Sequence, residues 1–201
     1  MDSDDLPYLL GELGPELTKL NIRRTAGQSS TGEWFHNLHL GSLLEDLNDR
    51  QHSLKELSFT SPEESLFAPT HRRLDISTLH DFHALKILKT DAVFFASHAV
   101  FFASHAETNP DNNAFISTIP SSLKELRLGG YYSNLGSDLR GLLAAFQVGH
   151  YAALSRIEID AGIAKEYDPE SDAAKELIEV GGSFRSAGVD FVVHGDKPEQ
   201  L

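Results

Sequence analysis

Histidine is the first residue type to weigh for chemistry, because ten occur in this chain of 201 residues. The tightest grouping is His80-Asp81-Phe82-His83. On a helix, residues three apart share a face, so these two imidazoles could hold one ion. No third ligand stands near them, and the glutamate of an H-E-x-x-H site is missing. They read better as surface or capping side chains beside a strand. The pair His36 and His39 is less suited still, and His98 and His105 occupy equivalent places in a duplicated segment. No G-x-S-x-G, P-loop or G-x-G-x-x-G stands in the sequence. Gly129-Gly130 lacks the Lys and Ser/Thr of a phosphate loop and reads as a turn with Tyr131 and Tyr132 packed over it. Glu63-Glu64 and the Glu166–Asp172 group read as solvated loops. No catalytic residue, metal or cofactor is therefore expected, and the chain is read as a binding protein.

The bulk numbers narrow the partner. A formal net charge of -13 disfavours nucleic acid and anionic membrane surfaces. Arg23-Arg24 and Arg72-Arg73 sit in loop-like stretches without a wider basic patch. Cysteine is absent, which excludes disulfides and cysteine-ligated zinc. The start, Met1-Asp2-Ser3-Asp4-Asp5, is acidic, unlike a secretory signal. No apolar run approaches the roughly 18 residues of a membrane helix. An intracellular protein of the cytoplasm or nucleus, a single domain over residues 1–201 and a monomer, is the expectation.

One short pattern organises the chain: L-x-x-L-x-L with conservative swaps. It stands at Leu17–Ile22, Leu54–Phe59, Leu85–Thr90, Leu123–Leu128, Leu154–Ile159 and, degenerate, Gly188–Val193. Its fourth and sixth positions are two apart, so on a strand both point into the core, while the third and fifth point away. A helix-like segment precedes each copy: Asp4–Leu13, Leu38–Asp49, Ile76–Phe82, Ala114–Ile119, Asp138–Phe146 and Ser171–Ser186. Leu40, Leu43, Leu44 and Leu47 form an i, i+3, i+4, i+7 stripe, as do Leu139, Leu142, Leu143 and Phe146. Gly181-Gly182 is expected to end or kink the last helix. Alternating helix and strand predicts an α/β fold, an irregular, horseshoe-like leucine-rich-repeat solenoid. It would have a parallel sheet of about six strands backed by helices, with 195–201 frayed.

The copies start 37, 31, 38, 31 and 34 residues apart, longer than a regular leucine-rich repeat of roughly 20–29. Inside one long spacing, Ala92–His98 is repeated letter for letter as Ala99–His105. Removing one copy returns that spacing to 31, so residues 92–105 read as a duplication whose second heptad is an insertion. It either lengthens a helix or leaves Phe94, Phe95, Phe101 and Phe102 on an apolar flap.

These residues resemble the C-terminal leucine-rich-repeat region of filamentous-fungal F-box proteins. The segments that carry the resemblance are Leu79–Leu88, Ile119–Leu126, Leu139–Leu143 leading to Leu154–Ile157, and Glu176–Phe191. It covers about Leu38 to His194, through patterns that are specific together and loose singly. It implies the substrate-reading half of a ubiquitin-ligase subunit. The F-box itself, a three-helix unit that docks an adaptor, is not expected here, because the first repeat begins near Leu6. A stand-alone structural or scaffold repeat protein and a hydrolase with an unrecognised site are the alternative readings.

Parallel strands in register would set like positions side by side, about 4.8 Å apart. The third-position column reads Lys19, Glu56, Ile87, Glu125, Arg156, Asp190, and the fifth reads Asn21, Ser58, Lys89, Arg127, Glu158, Val192. Lys19–Glu56, Glu125–Arg156, Arg156–Asp190 and Arg127–Glu158 are positioned to neutralise each other. Lys89 and Arg127 are like charges in adjacent positions beside Ile87. The expected partner surface is therefore Glu56, Ile87, Lys89, Glu125, Arg127, Arg156 and Glu158. The expected partner is another protein that offers an acidic segment.

Overall fold

Five-residue strands form wherever the pattern alternates apolar and polar residues. The computed structural model describes residues 14–23, 40–60, 77–92, 94–95, 114–161 and 168–195. They contain β1 (Lys19–Arg23), β2 (Glu56–Thr60), β3 (Ile87–Asp91), β4 (Glu125–Gly129), β5 (Arg156–Asp160) and β6 (Asp190–His194). All six lie in one open sheet, in chain order, and every neighbouring pair is parallel. The fold is thus α/β. Among the described residues four helices lie between the strands: α1 (Leu40–Asp46), α2 (Ala114–Thr118), α3 (Leu135–Gln147) and α4 (Asp172–Ser186).

The register aligns the inward positions in two rows. Leu20, Leu57, Leu88, Leu126, Ile157 and Phe191 form one, and Ile22, Phe59, Thr90, Leu128, Ile159 and Val193 the other. From Leu57 to Phe191 the first row is buried, and both rows join a single core with Leu43, Leu44, Leu47, Leu139, Leu142, Leu177 and Phe184. The helical segments therefore cover one face of the sheet and leave the other open. Short hydrogen bonds tie each unit to the one before. The Ser53 hydroxyl donates to the Pro15 carbonyl at 2.7 Å, and Ser122 donates to Leu85 at 2.7 Å. Tyr151 donates to the Ile116 carbonyl at 2.7 Å, satisfying an acceptor of the short helix α2, and burial pushes its phenol up to about 12.

Five of the six expected helical segments fall on described residues, with three differences. In place of the segment Leu38–Asp49, the described residues form a short helix, Leu40–Asp46, followed by a 3-10 turn, Asn48–Arg50, and in place of Ile76–Phe82 they form a 3-10 turn, Ser77–Asp81. Leu79 and Phe82 are both buried, and a spacing of three suits either helix type. The third difference is at Gly181-Gly182, where α4 does not end. It runs on to Ser186, and Gly181 is buried against β6: a Cβ there would lie 2.5 Å from Phe191 Cδ1. Glycine is placed for close approach of helix to strand. Helix α4 starts at Ser171, whose hydroxyl accepts from the Ala174 amide, and has Asp172 in its first turn and Arg185 in its last. The turn after β4 does require glycine for its backbone, since Gly130 has φ of 83°. Tyr131 and Tyr132 pack partly against the core beside it. Tyr132 donates to Asp138 at 2.6 Å, and burial holds that carboxyl above its usual range although the hydrogen bond opposes this.

In the first heptad, Phe94 and Phe95 have helical backbone and are buried, with Phe94 5.4 Å from Phe59 and Phe95 4.6 Å from Phe115, ring centre to ring centre. That pair belongs to the core and not to a flap. The second heptad, helix Asp4–Leu13, the pair His36 and His39, and residues 196–201 lie outside the described residues.

Two substitutions test this packing. Leu126→Ala removes a fully buried side chain from the middle of the sheet and should cost about 2–5 kcal/mol in urea unfolding. Gly181→Ala should also destabilise, by about 1–3 kcal/mol, because the clash with Phe191 outweighs the roughly 1 kcal/mol better helix propensity of alanine. If Gly181→Ala instead stabilised the protein, the close helix–strand approach would be refuted.

Candidate functional site

The open face is built from the residues that alternate with the core rows. Strand pairing sets Glu56 beside Lys19 and Ile87, Glu125 beside Ile87 and Arg156, and Arg156 beside Asp190. The next row sets Lys89 beside Ser58 and Arg127, and Arg127 beside Glu158. All seven residues singled out from sequence, Glu56, Ile87, Lys89, Glu125, Arg127, Arg156 and Glu158, therefore stand on one continuous surface across β2 to β5. All seven are partly exposed.

Each of the four expected charge pairs forms. Lys19 Nζ is 2.9 Å from Glu56, Arg156 Nε 3.8 Å from Glu125, Arg156 Nη1 2.9 Å from Asp190 and Arg127 Nε 3.5 Å from Glu158. Further contacts cross the rows, which a column-by-column reading does not reveal. Lys89 Nζ reaches Glu56 at 3.9 Å, Arg127 also holds Glu125, Arg156 Nη2 meets Glu158 at 3.1 Å, and His194 Nε2 lies 3.3 Å from Glu158. The adjacency of Lys89 and Arg127 is real, but each cation has an acidic neighbour on its far side. Their repulsion is shared out within the face.

Depth separates the two signs. The side chains of Glu56, Glu125 and Glu158 are 17–22% exposed, whereas those of Lys89, Arg127 and Arg156 are 32–40% exposed. The cationic side chains are thus the more exposed and the glutamates the less exposed, although Arg156 Nε itself is buried. Each contact is exposed enough to contribute no more than about 1 kcal/mol. Burial pushes the Glu158 carboxyl up. The Arg156 hydrogen bond and the charges of Arg127, Arg156 and His194 together outweigh it and hold the group below its usual range.

A third row, missed from sequence because it lies one residue past the motif, borders this surface. It holds Arg23, Thr60, Asp91, Gly129, Asp160 and His194. Its signal was available: it is the next outward position at the strand period of two. Of the histidine candidates, His80 and His83 lie on described residues and neither joins the face; His194, which the sequence reading did not single out, does. His80 bonds Asp81 at 3.0 Å, and His83 is exposed with its ring centre 6.1 Å from that of His52. Among the described residues no group of three or more His, Asp or Glu is placed to hold a metal ion, and no helix is long and apolar enough to cross a membrane.

The chain matches no protein-family model, no curated protein and no solved structure.

The lowered Glu158 fixes a pH dependence. A carboxyl held below its unfolded value of 4.5 adds stability above that pH, and the contribution is lost as pH falls through the folded value. The stabilisation that Glu158 contributes should therefore diminish as pH falls below about 4.5. Glu158→Gln should lower stability at neutral pH and flatten this part of the profile. An unchanged slope in the variant would show that the Glu158 contacts contribute nothing.

Proposed function

We propose that this protein is an irregular leucine-rich-repeat solenoid that binds another protein on its open sheet face, in the manner of the substrate-reading region of fungal F-box proteins. Six parallel strands in chain order, one per sequence unit, support the solenoid reading. Such units bury a shared ladder and leave one broad face available for recognition. The family likeness rests on the segments around Leu79–Leu88, Ile119–Leu126 and Glu176–Phe191. It brings with it a cytoplasmic or nuclear setting and a role in selecting ubiquitination substrates.

The single observation that carries the binding face is the order of exposure among its charges. An approaching surface has more access to Lys89, Arg127 and Arg156 than to the glutamates beside them. A carboxylate-bearing segment laid across β3 to β5, with an apolar side chain on Ile87, fits that order. Arg127 is central, since it adjoins Lys89 and contacts both Glu125 and Glu158. An arginine can bond a planar carboxylate in two places at once, which suits it to an anchoring role.

The test is affinity capture from the native cell with the wild-type chain, with Arg127→Glu, and with Lys175→Glu on the helical side as a charge-matched control. Proteins captured by the wild type should be lost with Arg127→Glu and kept with Lys175→Glu, with both variants folded by circular dichroism. A captured protein that is itself ubiquitinated in that cell would support the likeness to a substrate-reading region. Equal capture by all three would remove the open face as the binding surface.

A further inference from the structure

The two ends of the sheet form surfaces of their own. Among the described residues β6 pairs only with β5, and β1 only with β2. An unpaired strand edge is a template for another strand. The Asp190 amide donates to the Ser155 carbonyl at 2.9 Å, toward β5. Backbone groups alternate sides along a strand, so those of Phe191 and Val193 face away from it. Above this edge lies the outer flank of α4. Glu176 and Glu179 contact Arg140 of α3, and at 3.6 residues per turn Ile178 falls on the other side of the buried stripe, where it is 52% exposed. The opposite end of the sheet is also incompletely covered. Leu20 and Ile22 occupy inward positions yet are only partly buried, whereas Leu57 beside them is fully buried.

We propose that the β6 end of one copy receives the β1 end of a second copy, strand to strand, parallel and in register, so that the sheet continues from chain to chain. The inward rows then run on without a break, Phe191 beside the second copy's Leu20 and Val193 beside its Ile22. The charge pattern continues as well. Arg156 lies between Glu125 at 3.8 Å and Asp190 at 2.9 Å. Lys19, now with Glu56 on one side, would gain the other copy's Asp190 on its free side. Both groups have room for this, at 61% and 56% exposure. The last row brings His194 beside Arg23 and adds no attraction. Pairing of two β1 edges would be worse, because it sets Lys19 and Arg23 against each other. One group stands guard: Arg185 Nη1 donates to the Phe191 carbonyl at 3.1 Å, on the free side of β6. The contact is head to tail and does not close on itself, so particle size should rise continuously with concentration. The monomer expected from composition takes no account of these two edges.

Sedimentation velocity of the full chain across a wide concentration series tests the proposal. The wild type should grow beyond a dimer. Lys19→Glu alone and Asp190→Lys alone should each weaken association by roughly five- to tenfold, the loss of one surface pair and the gain of a repulsion. An equimolar mixture of the two variants should recover it, because every mixed contact again joins opposite charges. Arg185→Ala should strengthen association by freeing the Phe191 carbonyl. A wild-type and Arg185→Ala chain that both stay monomeric would overturn the proposal. So would association that stops at a dimer, or one that neither charge reversal changes in a chain still folded by its melting curve.

Discussion

Everything in this structure depends on register between neighbouring strands. A strand alternates its side chains with a period of two, so a slip of one residue exchanges the two faces. In β4 such a slip would turn Glu125 and Arg127 inward and expose Leu126 and Leu128, which are buried in the observed register. Exposing each leucine forfeits about 1.5–3 kcal/mol, and desolvating the charges costs several more per ion. Register is therefore set by the leucine rows. The ion pairs on the open face follow from it and do not cause it, since each contributes at most about 1 kcal/mol. That order of causes lets the outward residues vary in charge without disturbing the fold.

The strands are uniform while the helical layer is not. Each strand has five residues, but the covering segments range from the 3-10 turn Ser77–Asp81 to the fifteen-residue helix α4. The thicker end is made possible by two glycines. A Cβ on Gly136 would lie 2.9 Å from Glu176 Cγ and 3.2 Å from the Leu177 amide nitrogen, so α3 and α4 approach closely there. Gly181 does the same between α4 and Phe191. Toward the other end, hydroxyls take over part of the linkage, with Ser53 and Ser122 each donating to a carbonyl of the preceding unit. Different devices thus hold the same strand spacing along the sheet.

The strands were legible because their rule is local: two apolar residues two apart, with a leucine three before. The open-face columns followed directly, and the register reproduces them residue for residue. What the pattern could not convey depends on distance or on the third dimension. Gly181 looks like a helix stop in one dimension and is a packing site in three. The diagonal contacts of Lys89 with Glu56 and Arg127 with Glu125 arise from side-chain reach rather than from position. Thr90 breaks the leucine rule, yet its side chain is buried, with Oγ1 lacking a hydrogen-bond partner among the described residues. Such a hydroxyl costs about 1–3 kcal/mol, a departure that local sequence cannot explain. The Arg, Asp and His of the bordering row lie one residue past the motif, outside the six positions it defines.

The chain's charge of -13 is at odds with an acidic partner until the length scale is considered. The two central columns carry equal numbers of acidic and basic residues, so the excess negative charge resides elsewhere. At physiological salt, interactions between exposed charges fade over about 8 Å. Neighbouring strands are about 4.8 Å apart, so a segment seated on β3 to β5 interacts chiefly with Lys89, Arg127 and Arg156. Asp160 marks where that advantage ends on β5, since it is exposed in the bordering row, whereas Asp91 of β3 is buried. On β5 an acidic segment is thereby confined to the third and fifth columns and excluded from the edge beyond them. Long-range repulsion from the rest of the chain slows its approach without reversing the local preference. The proposed face is thus suited to selecting where a partner sits more than to how fast it arrives.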